Sequence, residues 1–127
     1  MSKAARVLII EDDELTLEAM KRSVEAFGFE TYVAGDGVRG LKLANNIKPS
    51  FILLDWMMPE MDGMEVLTKL KDNKKTRKLP VFMLTARGTI ADLDEAFKIG
   101  ADDYITKPSD LTLLGKTVYD KWEKFTN

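Results

Sequence analysis

The sequence predicts an α/β fold in which a parallel sheet carries helices on both faces, and two observations predict it. Short apolar runs alternate five times with stripes of apolar residues at helical spacing, and no hairpin signal joins successive runs. The runs at 7–10, 51–54 and 81–84 are wholly apolar, as strands buried on both faces must be, whereas those at 31–34 and 102–106 are more polar and suit sheet edges.

In chain order, Val7, Leu8, Ile9 and Ile10 form the first strand, and Glu11, Asp12, Asp13 and Glu14 follow it. Leu17, Met20, Val24 and Phe27 recur at helical spacing, so these acids open a helix, which Gly28 closes. Thr31 to Ala34 make the second strand. A turn at Gly35, Asp36 and Gly37 leads to a helix striped by Val38, Leu41, Ala44 and Ile47, which Pro49 ends. Phe51, Ile52, Leu53 and Leu54 form the third strand, with Asp55 directly after it, and Met64, Leu67 and Leu70 stripe the next helix. Pro80 introduces the fourth strand, which stops at Thr85. Thr89 with Asp92 resembles a capping box for a helix carrying Ile90, Leu93 and Phe97, ended by Gly100. The fifth strand ends before Lys107 and Pro108, and Ser109 is placed to cap a last helix striped by Leu111, Leu114, Val118, Trp122 and Phe125.

Putting the apolar strands in the centre and the polar ones at the edges gives strand order 2-1-3-4-5. With right-handed crossovers this is a flavodoxin-like (βα)5 doubly wound parallel sheet, whose switch point lies between strands one and three. Ligands of such sheets bind beyond the carboxyl ends of the strands at that point, where Glu11, Asp12 and Asp55 fall.

Length and composition limit the chemistry. A chain of 127 residues fits one domain, taken as residues 1–127, and a net charge of −2 makes no electrostatic case for nucleic acid or an anionic membrane. The lysine-rich stretch at 69–78 reads as a solvated helix end. The absence of Cys excludes disulfides and thiolate metal sites, and the absence of His removes triad catalysis and phosphohistidine formation within this chain. Any metal is then a hard, oxygen-bound one such as Mg²⁺. The N-terminus enters a short strand at once, without a signal-peptide or membrane-span pattern, so a cytoplasmic location is expected.

A lone aspartate after a strand is most often a turn or cap residue. Here, however, two carboxylates about 5 Å apart repel by about 3 kcal/mol at an effective dielectric of about 20, so a cluster of three demands a cation or protonation. Lys107, at the end of strand five, and a divalent ion are the cations on offer, and Thr85 adds a hydroxyl donor. This set suits a phosphoryl group carried on Asp55: Asp55 the nucleophile, Mg²⁺ and Lys107 neutralising charge, Thr85 bonding one oxygen.

Four signatures, in order and at strand ends, then carry a resemblance over the whole chain: Ile10-Glu11-Asp12-Asp13; Asp55 with Met58-Pro59 and Met61-Asp62-Gly63; Leu84-Thr85-Ala86; and Gly100-Ala101-Asp102-Asp103-Tyr104 leading to Lys107-Pro108. The chain resembles a two-component response-regulator receiver domain of the chemotaxis-regulator kind. The resemblance implies a phosphorylation-controlled signalling switch rather than an enzyme, catalysing only its own phosphoryl transfer and dephosphorylation. Asp55 would accept phosphate from a sensor histidine kinase or phosphotransfer protein. Asp12, Asp55 and the backbone carbonyl of Met57 would bind Mg²⁺ (or Mn²⁺), with Glu11 acting mainly through metal-bound water, and Asp13 is left to helix capping. Lys107 would contact the phosphoryl group, and its bond to Pro108 is typically cis in the family. Thr85 and Tyr104 would be the switch pair, and the helix 4/strand 5/helix 5 face the surface that meets a downstream protein, with no direct nucleic-acid or membrane binding. Met57 and Arg87 flank the phosphoryl site and are expected to tune the lifetime of the adduct.

Family members joined to a DNA-binding domain often carry Phe after Lys-Pro and an arginine along helix five. This chain has Ser109 and, around Lys116 and Thr117, no arginine, which argues against the dimer common among them. A stand-alone receiver is expected, although a receiver module cut from a larger regulator or hybrid kinase would read the same. A haloacid-dehalogenase-like phosphatase would place a second Asp where Met57 stands, and a flavodoxin-like binding module would have a Ser/Thr/Gly phosphate loop where Glu11 and Asp12 stand. A receiver that binds partners without phosphorylation would not need the full reactive set.

Overall fold

In a computed structural model, which describes residues 4–86 and 90–127, the three apolar runs become the centre of a five-stranded sheet of order β2-β1-β3-β4-β5. The strands are β1 (Arg6–Ile10), β2 (Glu30–Ala34), β3 (Phe51–Asp55), β4 (Val81–Thr85) and β5 (Asp103–Thr106), and every pairing is parallel. The helices are α1 (Glu14–Glu25), α2 (Gly37–Ile47), α3 (Gly63–Asp72), α4 (Ile90–Ile99) and α5 (Leu114–Thr126), the last preceded by a 3₁₀ turn over Leu111–Leu113.

Alternation along each strand splits the core into two layers. Leu8, Ile10, Ile52, Leu54 and Met83 pack under α2, α3 and α4 with Val66, Leu67 and Ala96. Val7, Ile9, Phe51, Leu53, Phe82 and Ile105 pack on the opposite face against Met20, Val24, Leu114 and Val118 of α1 and α5. There Phe51 stacks on Trp122 at 4.4 Å between ring centroids, tying β3 to α5.

Local chemistry explains where the helices begin. Asp13, Asp36 and Asp62 are their N-caps, each side chain accepting a bond from the backbone N–H three residues on. The turn aspartate Asp36 therefore starts α2. Asp110, rather than the expected Ser109, starts the fifth helical segment, because its carboxylate accepts from both the N–H and the hydroxyl of Thr112 and thereby organises the 3₁₀ turn. The capping box expected at Thr89 lies outside the described residues, as does Arg87.

Among the described residues, four stripe residues depart from expectation by being exposed: Phe27, Val38, Phe97 and Phe125. Phe27 lies beyond the end of α1 and is partly exposed against Tyr119, since the chain tightens into i→i+3 bonds after Val24 before Gly28 turns it at a φ of 91°. Val38 is 59% exposed. Helix α2 instead buries Gly37, Gly40 and Ala44, and a Cβ on Gly40 would lie 2.5 Å from Cδ1 of Ile10, so the helix sits closer to the sheet than a stripe of large side chains permits.

Candidate functional site

Because all strands run the same way, their carboxyl ends share one edge of the sheet. Backbone bonds then hold the residues just beyond them: Glu11 N–H donates to Ala34 at 3.1 Å, Trp56 N–H to Leu84 at 3.0 Å and Lys107 N–H to Thr85 at 2.8 Å. Carboxylate oxygens of Glu11, Asp12 and Asp55 lie within 4.8 Å of one another. Glu11 and Asp55 are buried, at 2% and 4% exposure, while Asp12 faces solvent. Lys107 reaches in from beyond β5, its Nζ 2.8 Å from Glu11 Oε1 and 2.8 Å from Asp55 Oδ1. Thr85 is buried at the end of β4, in register with Thr106.

Electrostatics follow from this crowding. Burial, and next the Asp55 carboxyl beside it, hold the Glu11 carboxyl above the ordinary range despite Lys107. Partial desolvation and then Glu11 push Asp12 up as well. For Lys107, burial favours the neutral amine, but the carboxylates of Asp55 and Glu11 outweigh it and raise its affinity for the proton. A single ammonium against three carboxylates leaves negative charge uncompensated, at about 3 kcal/mol per close pair for an effective dielectric of about 20. Converging hard oxygen donors, with no His or Cys in the chain, fit an oxygen-preferring divalent ion such as Mg²⁺.

The loop after β3 is set by a glycine. A Cβ on Gly63 would run into the Asp55 carbonyl oxygen and lie 2.8 Å from Trp56 Cα, and Gly63 N–H donates to the Trp56 carbonyl at 2.9 Å. The start of α3 therefore presses on the backbone that presents Asp55. Its membership of the Met61-Asp62-Gly63 motif is visible in the sequence, but this contact is not, because the residues that meet are brought together by the turn through Met58 to Asp62. Met57, just before that turn, carries its side chain 78% exposed. Tyr104 is 37% exposed on β5, its ring turned toward Phe97 of α4 at 6.3 Å. The bond from Lys107 to Pro108 is trans, the ordinary state of a peptide bond, and not the cis form that the resemblance implies.

The family model of the response regulator receiver domain matches residues 7–119, which takes in β2 to β5, all of β1 but its first residue, and every residue of this cluster. The chain belongs to that family. Among curated relatives of this receiver domain, the DNA-binding dual master transcriptional regulator RpaA of Synechocystis is 42% identical over 106 residues, covering 84% of this chain and 44% of that protein. The transcriptional regulatory protein SrrA of Staphylococcus aureus is 42% identical over 102 residues, covering 80% of this chain and 41% of its own length. The chain thus spans less than half the length of these relatives. The solved structure of chemotaxis protein CheY4 of Vibrio cholerae is 26% identical, covers 92% of this chain and 98% of that one, and superposes with a TM-score of 0.83. Receiver domains are the signalling switches of two-component systems and work with histidine kinases or phosphotransfer proteins. Among the described residues, no helix is long and apolar enough to cross a membrane.

Proposed function

We propose that this receiver domain accepts a phosphoryl group on Asp55 from a partner histidine kinase or phosphotransfer protein, and that the adduct changes the face formed by α4, β5 and α5 to control a downstream protein. The observation that carries this reading is the pairing of a 4%-exposed Asp55 with the Lys107 ammonium at 2.8 Å, beside two further carboxylates. A buried carboxylate held by a cation at the mouth of a parallel sheet is a nucleophile protected from bulk water.

In the transfer, an Asp55 oxygen attacks phosphorus, the P–N bond of the donor's phosphohistidine breaks as the P–O bond forms, and the donor imidazole takes back a proton. Lys107 moves from a carboxylate oxygen to an oxygen of the incoming group, and the Thr85 hydroxyl donates to another. Glu11, Asp12, Asp55 and the backbone carbonyl of Met57 would hold Mg²⁺ (or Mn²⁺), which supplies charge neutralisation at the phosphoryl oxygens when bound. Thr85 and Tyr104 act as the switch pair, since Thr85 ends β4 beside the site and Tyr104 pairs in register with Met83 two residues before it. This receiver domain is a switch that catalyses only its own phosphorylation and dephosphorylation, acts in the cytoplasm, and itself contacts neither nucleic acid nor membrane.

The test is incubation with acetyl phosphate and Mg²⁺ followed by intact-mass measurement. One labile phosphoryl adduct is expected in the wild type and none in Asp55→Asn. A wild-type protein that stays unmodified would sink the reading.

A further inference from the structure

Tyr104 is held on the open edge of the sheet by groups from three elements. Its backbone N–H donates to Asp103 Oδ1 at 2.7 Å, and the same oxygen lies 3.1 Å from Nζ of Lys121 on α5. That seat puts the Lys121 ammonium 5.5 Å from the centroid of the Tyr104 ring, while Phe97 of α4 meets the ring edge-on at 6.3 Å and 75°. Ile105, the next residue, points into the core layer shared with α5, so the alternation of β5 puts the Tyr104 ring on the other side, toward α4. Lys121 therefore reaches past the free edge of β5, from one layer of helices to a ring that belongs to the other.

We propose that Lys121 is a positioning residue that latches Tyr104 outward and thereby sets the resting bias of the switch. Asp103 aims the ammonium, the ammonium attracts the electron-rich face of the ring, and Phe97 blocks the ring from swinging along the helix. All four groups are partly exposed, so each contact is weak. A weak latch suits a two-state element, because a strong one would leave a phosphoryl group unable to move it. Together the contacts are expected to favour the outward ring by about threefold to tenfold. The regulatory meaning of the latch rests on the phosphoacceptor reading of Asp55, but the position of the ring does not.

The test uses the full chain labelled with 3-fluorotyrosine, with Tyr104→Phe identifying the Tyr104 signal among those of Tyr32 and Tyr119. The H₂O/D₂O shift of that fluorine resonance reports ring exposure without any phosphodonor. Lys121→Gln is expected to lower the exposure of Tyr104, and Lys121→Arg, which keeps the charge over the ring, to preserve it. If the ring is merely covered by Lys121, exposure rises in Lys121→Gln; a rise or no change overturns the latch. In a second arm, acetyl phosphate with Mg²⁺ is expected to load Lys121→Gln about threefold to tenfold faster than the wild type, and equal rates would remove the coupling to the switch. A wild type that takes no adduct defeats the phosphoacceptor reading instead, and the fluorine measurement still decides the latch.

Discussion

The Lys107 ammonium stands 2.8 Å from Oδ1 of Asp55 and 2.8 Å from Oε1 of Glu11, although the three residues come from the ends of three different strands. Lys107 offsets part of the negative charge of a carboxylate pair that is buried at 2% and 4% exposure. Removing one partner from such a pair leaves a buried charge uncompensated, which typically costs about 3–5 kcal/mol, less where water reaches the group. With its side chain 20% exposed, Lys107→Met is expected to lower unfolding stability by about 2–3 kcal/mol in urea at neutral pH. Added Mg²⁺ should recover more stability in this variant than in the wild type. An unchanged denaturation midpoint would show that the carboxylates do not need the ammonium.

The raised pKa values of Glu11 and Asp12 have a sign that can be measured. The folded protein keeps protons on these groups at a pH where the unfolded chain has lost them, so without divalent cation their contribution to folding is fully present below the ordinary carboxylate pKa and fades as pH rises through the raised values. A divalent cation binds only the deprotonated groups, so its affinity should change the opposite way, falling as pH drops through the same interval. Thermal unfolding of wild type and Glu11→Gln across this range, with and without Mg²⁺, tests both. The stability that the wild type gains from Mg²⁺ should grow as pH rises above the ordinary carboxylate range, and that growth should be smaller in the variant.

Gly63→Ala is expected to destabilise the fold by about 2–3 kcal/mol, the cost of forcing extra volume into a packed site. Its Cβ would meet the Asp55 carbonyl and Trp56 Cα, which are backbone atoms with little room to yield. Phosphoryl uptake should fall even at temperatures where the variant stays folded, because the strain lands on the residue that presents Asp55. Gly35→Ala is the control, since nothing lies within 4 Å of the added carbon, and it should change stability by less than about 1 kcal/mol.

Trp56 follows Asp55 directly and is partly buried, so its indole should register cation binding at the carboxylate cluster. With Trp122 replaced by Phe to silence the other indole, Mg²⁺ titration should change Trp56 fluorescence saturably. Asp12→Ala is expected to weaken that response at least about tenfold, since it removes one of three converging carboxylates. A response that survives Asp12→Ala intact would place the cation elsewhere.

How much of this was legible in the sequence depended on whether the signal was local. The central strands were, because burial on both faces forces an uninterrupted apolar run, and the structure buries every residue of β3 and β4. The carboxylates at the strand ends were also legible, since a parallel sheet can only bring its carboxyl ends to one edge. The buried face of α2 was not. Periodicity weighs large apolar side chains, and this helix is seated by Gly37 and Gly40, which carry none. Ser109 and Asp110 are both good caps by type, and only the backbone path, which turns Thr112 toward Asp110, selects between them.

Sequence alone determined the order of elements, the strand order and the identity of the residues that meet at the sheet edge, because these follow from alternation, burial and chain direction. Tertiary structure decided what no pattern encodes: that Lys107 bridges Glu11 and Asp55, that α3 begins hard against the Asp55 carbonyl, and that Tyr104 lies outward beneath Lys121. Each of these contacts depends on distances of a few ångströms between residues far apart in the chain. Side-chain type sets which contacts are possible, and the packing of helices on the sheet sets which of them form.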